Sequence, residues 1–420
     1  MTRQTLRLVL MISCAHAMVH VFELSLPAVE ELIASEYRVG TDATGLMGNL
    51  WRFPFGLGAL AAGWFVDRYG AKWMLTIYLI GCSASCVAAW LSPQAVNLPL
   101  LFCVMFSMGT FASIYHPAGL ALISHEAPRH LRARALGIHG VFGSAGIAAA
   151  PFIAGLVLSW LTWRQFYLVL SIPGFLLGLM IATMLTEHHR QSASTDDQQN
   201  GNAEPDDDNG NWRAFFILAA SGAIFGFIYA ALMNFLPRYL GDLPLRDNIN
   251  AWLGSDGTFG GMQDKAFRNF AAGGVLLIGM LGQYISGRIA QPGKQERQLG
   301  WVIVTTAPFF VAMAFAEGNW RLVAAAIVSL VLFMQQPLYN SLIADFVPPR
   351  RRSLGYGFSN MMSFGIGSFG AWFAGSVLEN AQQGRAIAYS SLAVLALAGG
   401  GIAFYLARRR TAMAAKVIES

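Results

Sequence analysis

Apolar stretches of membrane-crossing length, separated by short polar connections, run from one end of this chain to the other. A helix needs about 20 mainly apolar residues to cross a bilayer, and on that measure the pattern predicts twelve spans. They fall near 6–34, 44–67, 73–91, 97–124, 132–160, 164–186, 213–240, 266–289, 299–316, 322–346, 353–378 and 386–407. The first reads as a span and not as a signal peptide, because its apolar run is too long and no small-x-small cleavage site follows it. One segment breaks the rhythm. Residues 187–211 pass from Glu187-His188-His189-Arg190 into a Ser, Asn and Gln stretch with Asp196, Asp197, Glu204, Asp206, Asp207 and Asp208. Such a run cannot bury a core and predicts a flexible cytoplasmic linker between a first half, 1–186, and a second, 212–420. The longest outer loop, 241–264, holds several Gly and Asp residues and is expected to form a short lid or mobile excursion.

Composition narrows the solvent. Of 420 residues, 55% are hydrophobic and 12% charged, with mean hydropathy +0.48, whereas a water-soluble domain carries about 25% charged residues. The net charge of +5 gives no support to nucleic-acid binding. With the N-terminus placed in the cytoplasm, the inner segments hold nineteen Lys and Arg and the outer ones eight, the asymmetry of cytoplasmic loops. Both termini are therefore expected inside, in a bacterial-type inner membrane. The four cysteines, Cys14, Cys82, Cys86 and Cys103, all fall within predicted spans of the first half. Their reading is helix packing. No nucleophile–base constellation or cofactor loop is present, so the expectation is a chain that is not an enzyme and takes no cofactor.

The halves repeat each other at a constant offset of 220 residues. Pro117 matches Pro337, Leu122-Ile123 matches Leu342-Ile343, Pro128 matches Pro348, Arg132 matches Arg352 and Gly137 matches Gly357. Ala154-Gly155 matches Ala374-Gly375, Val157-Leu158 matches Val377-Leu378, and Arg68 matches Arg288. A separate pair, Leu26-Pro27 and Leu236-Pro237, lies near the outer ends of spans one and seven. Two parallel six-helix repeats are what a carrier needs if rigid bundles are to rock about a site held between them.

Three stretches carry mechanism. After span two the chain reads Gly63-Trp64-Phe65-Val66-Asp67-Arg68-Tyr69-Gly70-Ala71-Lys72. It resembles the G-x-x-x-D-R-x-G-[RK]-[RK] loop of the major facilitator superfamily, with Ala71 at one basic position. Small Gly63 permits close helix approach, Asp67 suits a helix N-terminus across the interface, Gly70 permits a tight reversal, and Arg68 and Lys72 hold the loop inside. The resemblance implies the major facilitator fold, twelve helices in two pseudo-symmetric bundles, and a cytoplasmic gate at this loop. The second copy keeps Arg288 but has Gly287 in place of the Asp. Span five carries Gly137-x8-Gly146-x3-Ala150-Pro151-x2-Ala154-Gly155, similar to the antiporter motif of exporters in that superfamily with Ala at two Gly positions. Its small residues suit close approach to a neighbouring helix, and the resemblance implies a leak-limiting seam and export. The Arg usual in span four of drug–proton antiporters is missing. Instead, Ser113-Ile114-Tyr115-His116-Pro117-Ala118-Gly119 together with span five resembles the fosmidomycin-resistance group.

Polar side chains in lipid are functional candidates because they are costly there. His16, His20 and Glu23 recur at i, i+4 and i+7, on one helix face, and Arg52 lies in span two. Counting about 1.5 Å per residue, Glu23 sits ~16 Å and Arg52 ~12 Å from the outer surface, so they can pair. His116 lies ~13 Å and His139 ~12 Å above the inner surface on the same rise, where imidazoles titrate in a useful range. In the second half the neutral groups Asn234, Gln335, Gln336, Tyr339 and Asn340 are candidates for substrate hydrogen bonds. The favoured reading is a monomeric, proton-coupled exporter of a small organic compound, with Glu23 as coupling carboxylate. Two others remain open: a symporter of an organic acid clamped by Arg52, and transition-metal transport through His16, His20 and Glu23.

Overall fold

A computed structural model describes residues 3–92, 98–126, 132–185, 210–253, 263–348 and 351–419, and every element in them is helical. In the first half these are α1 (Arg3–Glu23), α2 (Ser25–Tyr37), α3 (Thr41–Tyr69), α4 (Ala71–Trp90), α5 (Leu98–Ala112), α6 (Tyr115–Glu126), α7 (Arg132–Leu158) and α8 (Trp163–Met184). The second half has α9 (Trp212–Tyr239), α10 (Pro244–Leu253), α11 (Asp264–Ile289), α12 (Gln295–Phe315), α13 (Trp320–Phe333) and α14 (Gln335–Phe346). It ends with α15 (Arg352–Asn360), a π-helical turn (Met361–Ile366), α16 (Phe369–Asn380) and α17 (Gly384–Glu419). The acidic segment 187–211 lies almost wholly outside the described residues. The loop expected as a lid begins with α10, and its remainder, 254–262, is likewise outside them.

Among the described residues, eleven helical stretches are long and apolar enough to cross a membrane. α3 falls short in apolarity alone: its 29 residues reach about 43 Å, but Asn49 and Arg52 occupy buried positions. It packs inside the bundle against α5 and α16, which is consistent with twelve crossings. Large apolar side chains such as Leu176, Leu179, Val394 and Trp160 face outward. That surface suits hydrocarbon, and only helices with internally satisfied backbones can stand in it.

Proline breaks several spans in the same way. Pro27, Pro117 and Pro337 are each the third residue of the helix they open, α2, α6 and α14. Proline offers no N–H to the carbonyl four residues back and crowds it, so the preceding helix ends at Glu23, Ala112 and Phe333. The repeat is legible here. α6 covers 115–126 and α14 covers 335–346, both ends shifted by 220 residues; α3 and α11 end at 69 and 289, and α7 and α15 begin at 132 and 352. Spans one and seven differ, since α9 runs through Pro237 unbroken. Gly70 joins α3 to α4 at φ 84°, the left-handed turn that glycine adopts without a Cβ penalty.

In the first half α1 packs on α7 and α4 on α8; in the second α12 packs on α17 and α9 on α16. Two seams join the halves, α3 with α16 and α7 with α11. The end away from the termini is tied shut. Arg238 of α9 grips Glu30 of α2 at 2.8 and 3.0 Å, and Asn269 of α11 donates to the Ala28 carbonyl at 2.9 Å. The Thr41 backbone N–H donates to Glu379 at 2.9 Å, its hydroxyl to the Gly375 carbonyl at 2.8 Å, and Arg268 pairs with Glu31. The terminal end differs: Asp67 is exposed and makes no hydrogen bond or ion pair among the described residues. Within the second half, Arg410 ties α17 to Glu296 of α12 at 2.7 Å.

Candidate functional site

Toward the C-terminal end of α1 the helix face singled out by its i, i+4, i+7 spacing turns inward. His20 Nδ1 lies 2.9 Å from Glu23 Oε2, and the other carboxylate oxygen lies 3.4 Å from Nε of Arg52. Arg52 Nη1 in turn donates to Asn234 Oδ1 at 3.5 Å, which crosses from α3 to α9 and so from one half to the other. Glu23 and Arg52 are both 1% exposed and Asn234 is fully covered. The geometry is a buried ion pair, whose desolvation is offset only by good partners. Here the set is incomplete: Arg52 Nη2 and Asn234 Nδ2 are buried donors that lack an acceptor among the described residues. Unpartnered buried donors call for a water or a ligand acceptor.

Four imidazoles gather beside this pair. The His16 ring lies 4.2 Å from His139, 5.1 Å from His20 and 5.5 Å from His116, centroid to centroid. Tyr115 stacks on His16 at 5.2 Å and its hydroxyl donates to the Ile12 carbonyl at 3.0 Å, fixing α6 against α1. The rings fit because Gly143 of α7 has no side chain: a Cβ there would run into His16. All six first-half candidates, His16, His20, Glu23, Arg52, His116 and His139, therefore share one neighbourhood.

The other second-half candidates, Gln335, Gln336, Tyr339 and Asn340, form a separate group on α14. Gln335 is buried, while Gln336 accepts from Gln283 of α11 at 2.5 Å, and Gln283 also accepts from Ser144 of α7. That amide chain again crosses between halves. Tyr339 and Ser359 hydroxyls meet at 2.7 Å. The Asn340 side chain is exposed, and its carbonyl accepts from Tyr356 at 3.1 Å.

The loop candidates stand apart in this conformation. A Cβ at Gly63 would meet nothing within 4 Å, so the expected close approach is not made in this conformation. Arg68 lies 5.9 Å from the Tyr69 ring and Lys72 5.3 Å from the Trp73 ring; Arg288 bonds the Tyr284 hydroxyl of its own helix at 3.1 Å. The span-five motif divides. Gly137 has open space around it, Gly146 lies against the Ala17 backbone of α1, and a Cβ at Gly155 would come within 3.0 Å of Phe270 of α11. Ala150 and Ala154 are buried beside Pro151. Sequence reasoning missed Glu30, Arg238, Ser144 and Gln283. The signal was present for two of them, since Glu30 follows Glu23 by seven residues and Arg238 follows Asn234 by four.

Helical bundles of membrane-crossing length that meet at a buried polar chain have the architecture of a polytopic membrane protein. The family comparison is specific: the model described as "Major Facilitator Superfamily" matches residues 10–371, and the chain belongs to that superfamily of transporters. Among curated relatives, the "Methylenomycin A resistance protein" of Bacillus subtilis is 30% identical over 26% of this chain and 23% of its own length. The "Riboflavin transporter RibZ" of Clostridioides difficile is 24% identical over 83% and 84%. The first relatives are thus matched over only about a quarter of their length, 23% and 28%. In fold, the inward open xylose transporter XylE of E. coli superposes with a TM-score of 0.74 at 12% identity, covering 94% of each chain.

Proposed function

We propose that this transporter is a proton-coupled exporter of a small organic compound, working by alternating access as a monomer in the inner membrane. The observation that carries the reading is the Glu23–Arg52–Asn234 chain, where a carboxylate able to take a proton bears on the boundary between the halves. Such a group can make bundle contacts depend on its protonation, which is what coupling requires. The first half, 1–186, then carries the coupling charge and the second, 212–420, much of substrate recognition through Asn234, Gln335, Gln336, Tyr339 and Asn340, the segment 187–211 serving as linker.

Both termini face the cytoplasm on the Lys and Arg asymmetry. On that orientation the described state is closed outside and open inside, and Asp67, Arg68, Lys72 and Arg288 form a gate that assembles when the carrier turns outward. Export follows from the span-five motif, from the likeness to fosmidomycin-resistance carriers in spans four and five, and from relatives named for drug resistance and efflux. The unpartnered donors of Arg52 and Asn234 favour one other reading, import of an organic acid with protons.

Purified protein in proteoliposomes, given a panel of antibiotics, vitamins and organic acids, is expected to move protons only when a substrate is present and in the opposite direction. Glu23→Gln is expected to abolish net transport driven by a proton gradient yet retain substrate exchange. Protons moving with the substrate would reverse the direction assigned here. A Glu23→Gln variant that still builds a gradient would remove Glu23 from coupling.

A further inference from the structure

Proton coupling through Glu23 leaves the neighbouring imidazoles without a task, and their arrangement has a chemistry of its own. One ligand nitrogen from each of His16, His20 and His116 can be chosen so that all three lie within 4.8 Å of one another. Two of the three are already oriented. His16 Nδ1 lies 2.9 Å from the His139 carbonyl oxygen, and His20 Nδ1 lies 2.9 Å from the Glu23 carboxylate. Both partners are acceptors, so in the neutral rings the proton sits on Nδ1 and the lone pair on Nε2 is left free. His116 has no hydrogen bond among the described residues. Metal-binding histidines are held in this way, with the second ring nitrogen donating to a carboxylate or backbone carbonyl.

We propose that His16, His20 and His116 form a binding site for one late first-row divalent ion, with Zn²⁺ and Co²⁺ as fitting members. Three imidazole ligands and a water complete a tetrahedral shell, with metal–nitrogen distances of about 2.0–2.1 Å. Such a shell holds its nitrogens about 3.3 Å apart by the same geometry, so the rings close in modestly through side-chain torsions. Glu23 is not a ligand here. It holds His20 in its ligating tautomer while Arg52 occupies its other oxygen. His16 and His116 are only half-buried, which leaves the water position and a route of entry. The backbone supports the site too, because only glycine at 143 leaves room for the His16 ring. The site stands independently of the proposed transport, since it is an equilibrium property of the folded chain.

The test uses full-length protein in detergent, free of any polyhistidine tag, titrated with Co²⁺ and then Zn²⁺. One Co²⁺ per chain is expected, with the visible absorption bands of a tetrahedral site, and Zn²⁺ is expected to displace it. His16→Gln, His20→Gln and His116→Gln should each remove those bands. Glu23→Gln should retain one ion per chain but weaken it about tenfold to hundredfold, the usual effect of losing an orienting partner. His139→Gln keeps the backbone carbonyl that His16 uses and should still bind. Unfolding temperatures of the metal-free variants identify any that fail to fold; for such a position the alanine or asparagine variant replaces it. Absence of a tetrahedral Co²⁺ spectrum in the unaltered chain overturns the proposal, as does a spectrum that survives in folded His116→Gln protein. Neither result bears on proton flux, so a failed transport assay and a failed metal site remain distinguishable.

Discussion

The ion pair between Glu30 and Arg238 offers the sharpest quantitative test of how the far end is held shut. Glu30 sits at 1% side-chain exposure and Arg238 at 30%, and both guanidinium bonds cross from one half to the other. Arg238→Gln leaves the carboxylate buried with Thr44, whose hydroxyl donates to it at 2.5 Å, as its remaining hydrogen-bond partner among the described residues and with Arg268 nearby. Removing one member of a buried pair costs about 3–5 kcal/mol. Because Arg238 is partly exposed and Thr44 remains, the lower figure applies: about 3 kcal/mol, or roughly a 150-fold shift in a two-state equilibrium. That cost falls on the closed arrangement alone, since opening lets Glu30 reach water. Spin labels at Ser35 and Asp242, both exposed at the closed end in different halves, read the change by pulsed EPR. The unaltered chain should show one short distance and Arg238→Gln a dominant longer one. Glu30→Gln combined with Arg238→Gln should return much of the short population, because no buried charge is left. An unchanged distance distribution in the single variant would refute the reasoning, and a double variant as open as the single would show that charge burial is not the cause.

Three further outcomes follow from packing and from the loop. Gly146→Ala forces a Cβ into the Ala17 backbone and should lower stability by about 1–3 kcal/mol, read as a fall in unfolding temperature, whereas Gly137→Ala, with open space around it, should leave it unchanged. Equal effects would mean that the α1–α7 contact is not tight. Asp67→Asn should reduce turnover in proteoliposomes while expression and unfolding temperature hold, since Asp67 has no partner among the described residues in this state; full turnover would reduce the loop to a topological anchor. Tyr115→Phe loses the bond to the Ile12 carbonyl, worth about 0.5–1.5 kcal/mol, and an unchanged unfolding temperature would argue against that bond.

Span positions were legible because bilayer thickness fixes their length, and the repeat because proline cannot donate a backbone bond. The breaks at Glu23, Ala112 and Phe333 were not, because α3, α7 and α9 run through Pro54, Pro151 and Pro237 and proline alone does not decide where a helix ends; these spans read as unbroken. The α1 face of His16, His20 and Glu23 was readable from spacing. Its convergence with His116 and His139 was not, for it depends on how α6 and α7 cross α1, which side-chain packing decides and periodicity does not. The same holds for Gln283 and Ser144, each a lone polar group whose partner lies on another helix. Glu30 and Arg238 were hidden by position: near the ends of spans a charge reads as solvated, and only the contact between α2 and α9 buries it.

Those two charges and the central pair turn out to share one surface. Asn234 and Arg238 stand four residues apart on α9, hence on one helix face, and they engage Arg52 and Glu30 respectively. Glu23 and Glu30 lie on either side of the break at Leu24, within the same span. Any change that moves Arg52 relative to α9 therefore acts on the helix face that also holds the closed end. Glu23→Gln takes away the carboxylate that anchors Arg52, leaving a buried guanidinium whose remaining partner is Asn234. The closed arrangement loses stability on the same grounds as in Arg238→Gln, and the Ser35–Asp242 label distance should lengthen although the substitution lies far from the labels. Adding Arg238→Gln to Glu23→Gln should then give less than the sum of the two free-energy shifts, because Asn234 and Arg238 share one α9 face and loosening either contact weakens the other. Additive shifts, or a Glu23→Gln distribution identical to that of the unaltered chain, would show that the centre and the closed end act separately, and protonation of Glu23 would then have no route through α9 to the outer gate.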